Sequence, residues 1–230
     1  MVRRWSRARS TALAFTVAVV LGSLSSCTAV ASGTPRPSVA VYGDSITEYA
    51  WTQQSTDPIG DAMRAEGWDP HVHGHSSCGY LTFQGDNPWC NVTDWADTVA
   101  ADAADHAGYA LVELGLDDIF WNVPKLTREM PDAVDAVVRA FPAHTRIGLV
   151  VPQPQPEYAT AFADGTAIVR SAVLDAPARF PGRDIVAFDL APDFEGHWDE
   201  YGAADHIHYT NAGKEAYVAF LVRCAHQLGA

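Results

Sequence analysis

Hydrophobic and polar positions form two kinds of pattern along the chain. Short apolar runs predict β-strands, at 38–42, 69–73, 109–114, 145–151 and 184–190. Longer stretches with an apolar residue every three or four positions predict helices, at 57–66, 92–106, 126–141, 158–177 and 211–228. Alternating strands and helices are typical of a parallel sheet covered on both faces. We therefore expect one α/β domain over 38–230, a three-layer α/β/α sandwich around a flavodoxin-like five-stranded parallel sheet.

The N-terminal segment has the pattern of an export signal. Four arginines precede the apolar run 11–21, which is shorter than the roughly 20 residues that span a bilayer. Two processing sites compete: Leu-Ser-Ser-Cys at 24–27 resembles a bacterial lipobox, and Ala-Val-Ala at 29–31 resembles an ordinary cleavage site. We favour the lipobox, because Cys27 lies just past the apolar run. Residues 1–26 are then the signal and 27–37 a tether.

This assignment determines the expected location and charge of the protein. We expect an exported protein that is lipid-anchored at Cys27 on the outer face of the cell membrane, or secreted if the second site is used. Without residues 1–26 the chain has 11 Lys and Arg against 28 Asp and Glu, a formal net charge of −17. Nucleic acids and anionic membrane surfaces bind basic patches. We therefore expect no nucleic-acid partner and no membrane contact except through the lipid. We also expect a monomer.

The cysteines agree with an exported domain. Cys78 and Cys90 bracket a loop rich in Gly, Asp, Asn and Pro, and outside the cytoplasm they can form a disulfide; two free thiols are the alternative. Cys224 falls on the apolar face of the last predicted helix, so we expect a buried side chain there.

Two polar motifs lie at opposite ends of the domain. The first predicted strand ends on Gly43, Asp44 and Ser45, and open α/β sheets carry their chemistry after the strands. Gly-Asp-Ser is either a tight polar turn or the setting of a nucleophilic serine. Near the end of the chain, Asp205 and His208 are three residues apart. At that spacing a carboxylate can meet one imidazole nitrogen while the other faces outward.

Together these motifs resemble the SGNH (GDSL-type) hydrolase family, and the resemblance spans 38–228. It implies the three-layer fold and an ester hydrolase that needs no cofactor. Ser45 would be the nucleophile, His208 the general base and then the acid, and Asp205 the residue that orients His208. The backbone N–H of Ser45 would also help to hold the oxyanion.

The family has a glycine block that supplies a second oxyanion donor from the backbone. Here that block is the loop 74–80. Gly79 matches by residue type and by its distance in sequence from Ser45. Ser77 is the alternative, since a backbone donor does not require glycine.

The remaining block departs from the family pattern. The family has Gly-x-Asn-Asp, and its asparagine donates to the oxyanion, whereas this chain has Asp117 at that position. An ionised carboxylate has no donor. A neutral carboxylic acid donates if burial or a like charge raises its pKa, and Asp118 or Glu113 would supply the like charge.

Two other sites of chemistry compete with this interpretation. Residues 74–78 half-match the Gly-x-Ser-x-Gly turn of α/β-hydrolases, but the last glycine is missing. His71, His73 and His75 alternate along a predicted strand, as three zinc ligands on one face would. No fitting carboxylate or cysteine is evident nearby, so we predict no metal.

The substrate cleft is predicted only in outline. Aromatic residues recur beside the proposed blocks, and flat apolar surface of this kind serves an acyl chain or a sugar face equally. We place Asp44, Tyr80 and Trp121 in the cleft. The predicted function is serine ester hydrolysis of a carbohydrate acetyl ester or a lipid acyl ester. The alternative is a non-catalytic surface lipoprotein that binds a small ligand in the same cleft.

Overall fold

The computed structural model describes residues 36–52, 57–81, 90, 107–121 and 123–230. At 49–52, 107, 121 and 123–125 only the backbone is described. The predicted signal with Cys27 and the predicted helix 92–106 lie outside the described residues. No helix in the described part of the chain is long and apolar enough to cross a bilayer.

Within the described residues, one parallel sheet of five strands forms the centre of the domain. The strands are β1 Ser38–Gly43, β2 Asp69–Gly74, β3 Ala107–Glu113, β4 Arg146–Val151 and β5 Ile185–Asp189, in the order β2-β1-β3-β4-β5. Each predicted strand is confirmed to within two residues. The chain moves outward from β1 in both directions, so the crevice between the ends of β1 and β3 is the point where such sheets bind ligands.

Helices cover both faces of the sheet. They are α1 Ser45–Thr52, α2 Pro58–Ala65, α3 Leu116–Trp121, α4 Val123–Ala140, α5 Pro156–Ala161, α6 Ala163–Leu174, α7 Ala176–Arg179, α8 Ala191–Phe194, α9 Trp198–Tyr201 and α10 Asn211–Leu228. The predicted helices at the positions of α2, α4 and α10 are confirmed. The single helix predicted over 158–177 is wrong, because the chain forms α5, α6 and α7 there. Pro177 at the start of α7 has no N–H to continue the preceding helix.

Two apolar cores lie on opposite faces of the sheet. Successive residues of β1 alternate between them, Ala40 and Tyr42 into one core, Val39 and Val41 into the other. This explains why the strand is apolar throughout in the sequence. The second core includes the predicted apolar face of α10, with Cys224 as a buried free thiol. Burial raises the pKa of that thiol to about 12, so it is unreactive.

Candidate active site

Ser45 is the first residue of α1, directly after β1. Its Oγ lies 3.0 Å from Nε2 of His208, and its side chain borders a cleft. The turn before it requires glycine, because a Cβ on Gly43 would lie 1.9 Å from Oγ1 of Thr47. Asp44 fixes the turn by accepting the N–H of Ile46 at 2.9 Å.

Asp205 holds His208 in the orientation that meets Ser45. Its Oδ2 lies 2.7 Å from Nδ1 of His208, and its Oδ1 accepts the backbone N–H groups of Ile207 and His208, each at 2.9 Å. Partial burial acts to raise the pKa of Asp205, but the hydrogen bonds outweigh it and lower that pKa to about 2. Asp205 is therefore ionised across the ordinary pH range and can stabilise a positive charge on His208.

Gln155 fixes the loop that carries His208. The buried Gln155 side chain follows β4, and its Nε2 donates to the carbonyl of His208 at 2.8 Å and to that of Ala203 at 3.3 Å. Ala203 also donates its N–H to the His208 carbonyl at 2.9 Å. Sequence reasoning missed Gln155, because nothing in a Pro-Gln-Pro-Gln-Pro stretch points to a contact 53 residues away.

The loop after β2 is held against α1. The N–H of His75 donates to the Gly43 carbonyl at 3.0 Å. Glu48 of α1 accepts the N–H of Ser76 at 2.6 Å and the Ser76 hydroxyl through the same oxygen. A Cβ on Gly74 would lie 2.3 Å from the Glu48 nitrogen, so glycine permits the close approach. Glu48 is a second contact that the motifs did not predict.

Ser77 and Gly79, the two candidates for the second oxyanion donor, are placed differently within this loop. Ser77 borders the cleft and has a left-handed backbone, with φ of 64°. Gly79 is buried, and a Cβ there would lie 2.5 Å from the carboxyl of Asp118. The missing side chain of Gly79 therefore makes room for Asp118, whereas Ser77 borders the same cleft as Ser45.

Asp118 secures the far end of the loop. Its oxygens accept the N–H groups of Tyr80 at 2.6 Å and Leu81 at 3.1 Å. The Cys78–Cys90 disulfide is present and joins the same loop to residue 90. The backbone that presents Ser77 is thus fixed by Glu48 on one side and by Asp118 and the disulfide on the other.

Three buried carboxyls lie near the nucleophile: Asp44, Glu113 and Asp118. Burial, with repulsion from Glu113 and Asp117, raises the pKa of Asp44 well above its usual range. Burial raises the pKa of Glu113 to about 8, although a hydrogen bond from Tyr217 opposes the shift. The pKa of Asp118 rises to about 7 for the same main reason, against the two loop N–H donors. Such groups favour the neutral form at mildly acidic pH.

Asp117 borders the cleft beside these groups. It is one of the neighbours that raise the pKa values of Asp44, Glu113 and Asp118. Its carboxyl thus stands where the family pattern has an amide donor, within a group of acids that repel one another.

The cleft around Ser45 has a volume of about 420 Å³. The residues that line it are Ser45, Ser76, Ser77, Asp117, Phe120, Tyr158, Phe162, Ile207 and His208. The placement of Asp44 and Tyr80 in this cleft is corrected, since their side chains are 0% and 2% exposed and lie beneath its surface. Trp121 ends α3, but its side chain lies outside the described residues.

The competing sites gain no support from the geometry. Ser76 donates its hydroxyl to Glu48, unlike a serine activated by histidine. In the described ranges, no three His, Cys, Asp or Glu side chains are grouped to hold a metal ion; the His73 ring stacks on Tyr42 at 5.2 Å. A larger groove of about 710 Å³ lies between α2 and α10, and its lining does not include Ser45, Asp117 or His208.

Solved structures confirm the fold. The peptidoglycan O-acetyltransferase A catalytic domain of Streptococcus pneumoniae matches with a TM-score of 0.56 at 13% identity, over 86% of this chain and 96% of that one. A lipase/acylhydrolase from Enterococcus faecalis gives a TM-score of 0.60 at 14% identity, over 81% and 94%. An acetylxylan esterase from Geobacillus stearothermophilus gives 0.59 at 14% identity, over 83% and 94%.

Sequence comparison gives a more specific result. No curated protein matches the chain. The model of the GDSL-like lipase/acylhydrolase family matches residues 41–216, a range that begins inside β1 and ends inside α10. It therefore includes Ser45, the loop after β2, Asp117 and the Asp205–His208 pair. The chain belongs to the GDSL-like lipase/acylhydrolase family.

Proposed function

We propose that this protein is an exported serine ester hydrolase that works by acyl transfer through Ser45. The observation that carries the proposal is the continuous chain of contacts from Ser45 Oγ to His208 Nε2 at 3.0 Å and from His208 Nδ1 to Asp205 at 2.7 Å. A nucleophile, a base and a group that orients the base are the elements of serine acyl transfer.

The reaction proceeds in two steps. Ser45 Oγ attacks the ester carbonyl carbon while His208 Nε2 takes its proton, and the carbonyl oxygen becomes an oxyanion. The carbon–oxygen bond to the alcohol then breaks, and the alcohol leaves with the proton from His208. Water, deprotonated by His208, attacks the acyl-enzyme, releases the carboxylic acid and restores Ser45.

Backbone N–H groups at Ser45 and Ser77 are the oxyanion donors in this proposal. Ser45 lies at the N-terminus of α1, where backbone donors and the helix dipole favour negative charge. Hydrolysis needs Asp117 to be protonated, when it can donate, or turned away from the oxyanion, because an ionised carboxylate repels the negative charge. One missing donor typically costs about 10²–10³ in rate, so we expect a slow enzyme.

The substrate is proposed to be a carbohydrate acetyl ester or a lipid acyl ester. The cleft has an aromatic side, with Phe120 against Tyr158 at 4.6 Å and against Phe162 at 5.3 Å between ring centroids. Structural neighbours named as an acetylxylan esterase and as a lipase/acylhydrolase support the two classes equally.

A second candidate function is ligand binding without turnover. Asp117 in place of the family's donor is the observation that favours it. In that case the cleft binds a small ligand, and the ordered contacts of Ser45 are a remnant of an ancestral enzyme.

Export and anchoring are also proposals. The lipobox-like sequence at 24–27 supports lipidation of Cys27. The mature protein should then partition into detergent and begin at Cys27, as read by mass spectrometry. A mature N-terminus at Ser32 would instead mean free secretion.

Hydrolysis is tested with a panel of nitrophenyl, carbohydrate and lipid esters, using the wild-type protein and Ser45→Ala. We expect turnover by the wild type and none above background by the variant. Folded wild-type protein that cleaves no ester in the panel would support the binding function instead.

A further inference from the structure

The sequence segments that directly follow the carboxyl ends of the strands contain no lysine or arginine. Five segments follow the carboxyl ends of the strands, and we call them the site face: 44–52, 75–81, 114–121, 152–161 and 190–210. None of them contains Lys or Arg, although the chain has 15. The undescribed stretch 82–106 also has none in its sequence.

Acidic residues are frequent on the same face. Each of the segments 44–52, 114–121, 152–161 and 190–210 contains at least one Asp or Glu. Arg223 of α10 pairs with one of them, Asp193, at a position that is not part of the cleft lining. A cleft surrounded by charges of one sign concentrates ligands of the opposite sign and repels ligands of the same sign.

The cleft itself adds a surface that favours cations. Phe120, Tyr158 and Phe162 form one packed aromatic group, with centroid distances of 4.6 to 5.9 Å. Aromatic faces attract ammonium groups, and the carboxyl of Asp117 borders the same cleft. Among the described residues that line the cleft, His208 alone can carry a positive charge.

We infer that the cleft selects esters by charge, with cationic esters first, neutral esters second and anionic esters last. The preferred substrate class is an acyl ester whose alcohol part carries an ammonium group near the reacting carbonyl. This inference rests on the proposed function, since it concerns the same cleft and the same nucleophile. Esters with phosphate or carboxylate groups beside the reacting carbonyl are poor substrates.

Three acetates of similar shape test the ranking. They are acetylcholine, its neutral isostere 3,3-dimethylbutyl acetate, and 4-acetoxy-2,2-dimethylbutanoate, which carries a carboxylate at the same place. At low ionic strength we expect kcat/KM to fall about tenfold at each step in that order. Near 1 M salt, where the screening length is about 3 Å, the differences should shrink. Equal rates, or a faster anionic ester, would overturn the inference.

A matched pair of variants locates the effect in the cleft. Asp117→Asn and Asp132→Asn each remove one negative charge, and Asp132 is exposed on α4, away from the cleft lining. The ratio of the cationic to the neutral rate should fall several-fold in Asp117→Asn and stay unchanged in Asp132→Asn. This ratio cancels any change in oxyanion stabilisation, which acts on both esters alike. Equal falls in both variants would assign the effect to overall charge and contradict the inference.

The result also separates this inference from the proposed function. Cleavage of all three acetates at rates unrelated to charge leaves the hydrolase intact and overturns the charge selection. Absence of any Ser45-dependent cleavage, with nitrophenyl esters included, overturns both. If Asp117→Asn folds poorly, the charge selection is tested by the salt dependence of the three wild-type rates.

Discussion

Carboxyl groups flank the nucleophile in two contrasting environments. Asp205, toward solvent, has a side chain that is 49% exposed, and its pKa is lowered to about 2 by hydrogen bonds from His208 and Ile207 that outweigh partial burial. Glu113 and Asp118, in the interior, are at most 1% exposed, and burial raises their pKa values to about 8 and about 7. The same chemical group is thus ionised on one side of Ser45 and readily protonated on the other.

The difference shows how one site uses acids for two purposes. Asp205 stays charged and can stabilise the imidazolium of His208 during acyl transfer. Asp118 holds backbone N–H groups of the loop after β2, and Glu113 accepts the Tyr217 hydroxyl, whose oxygen lies 2.9 Å from Thr47 Oγ1 on α1. In the proposed mechanism the exposed acid has an electrostatic role, whereas the buried acids hold the elements around the cleft.

The largest effect is expected when the exposed acid loses its charge. Asp205→Asn should lower kcat by roughly 10⁴-fold with little change in KM, because an amide favours the wrong tautomer of His208 and cannot stabilise its positive charge. Asp199→Asn, an exposed acid in the same segment, is the matched control and should keep full activity. Steady-state kinetics on a neutral nitrophenyl ester make the comparison. A loss below tenfold in Asp205→Asn would show that His208 does not depend on this carboxylate.

A smaller effect, here an increase in kcat, is expected from a change at Asp117. Asp117→Asn supplies an oxyanion donor that does not depend on pH, so kcat on the same neutral ester should rise by up to roughly 10²-fold, with more activity retained at alkaline pH. KM should barely change, because the donor acts on the transition state. Rates measured from about pH 4 to about pH 9 test this. A fall in kcat/KM with unchanged pH limits would mean that Asp117 binds substrate instead.

The two environments have opposite effects on the pH dependence of the free energy of unfolding. The pKa of Asp205 is below its usual value, so its contribution is present above about pH 4 and is lost on acidification toward about pH 2. Glu113 and Asp118 have raised pKa values, so the stability that they contribute is present below about pH 4 and is lost as pH rises through about 7 to 8. Taken together, these groups place the maximum free energy of unfolding near pH 4–5.

Urea unfolding at several pH values measures this trend. Between about pH 5 and about pH 8 the wild type should lose up to about 7 kcal/mol, because Glu113 contributes over about three of these pH units and Asp118 over about two, at about 1.4 kcal/mol per unit. In the double variant Glu113→Gln, Asp118→Asn this decline should flatten, because amides do not titrate. A wild-type stability that increases over the same range would contradict the raised pKa values.

The smallest effect on kcat is expected when the loop after β2 loses its contact with Glu48. Glu48→Ala removes the acceptor of the Ser76 N–H and should lower kcat about tenfold, since a shift of the donor backbone weakens oxyanion binding. Glu48→Gln keeps an acceptor and should recover most of the rate, whereas KM should be similar in both. Glu66→Ala, on the surface, is the control. Full activity in Glu48→Ala would show that the other contacts of the loop suffice.

Local patterns in the sequence determine what could be predicted. The strands and the long helix α10 follow from apolar periodicity, and the spacing of Asp205 and His208 implies their contact. That Ser45 meets His208 was implied by the family resemblance and not by spacing. Asp44 and Tyr80 were misplaced because a polar or aromatic residue beside a motif does not reveal on which side of the backbone it lies. Gln155 and Glu48 were missed because their contacts join segments far apart in the chain.

The glycine block shows the same limit. Residue type and distance in sequence from Ser45 indicate Gly79, and the structure adds that its missing side chain accommodates the carboxyl of Asp118. Ser77 takes the left-handed backbone at the cleft, with φ of 64°, a conformation that residue type alone does not predict for serine. Residue identity therefore located the loop, and only the packing around it distinguishes the two positions.

The central claim is that Ser45 is the nucleophile, and covalent labelling tests it most directly. The purified protein is treated with a fluorophosphonate, digested and mapped by mass spectrometry. The account predicts one labelled peptide, modified on Ser45, with labelling abolished in Ser45→Ala and strongly slowed in Asp205→Asn. Labelling that survives Ser45→Ala, or that maps to Ser76, would contradict it.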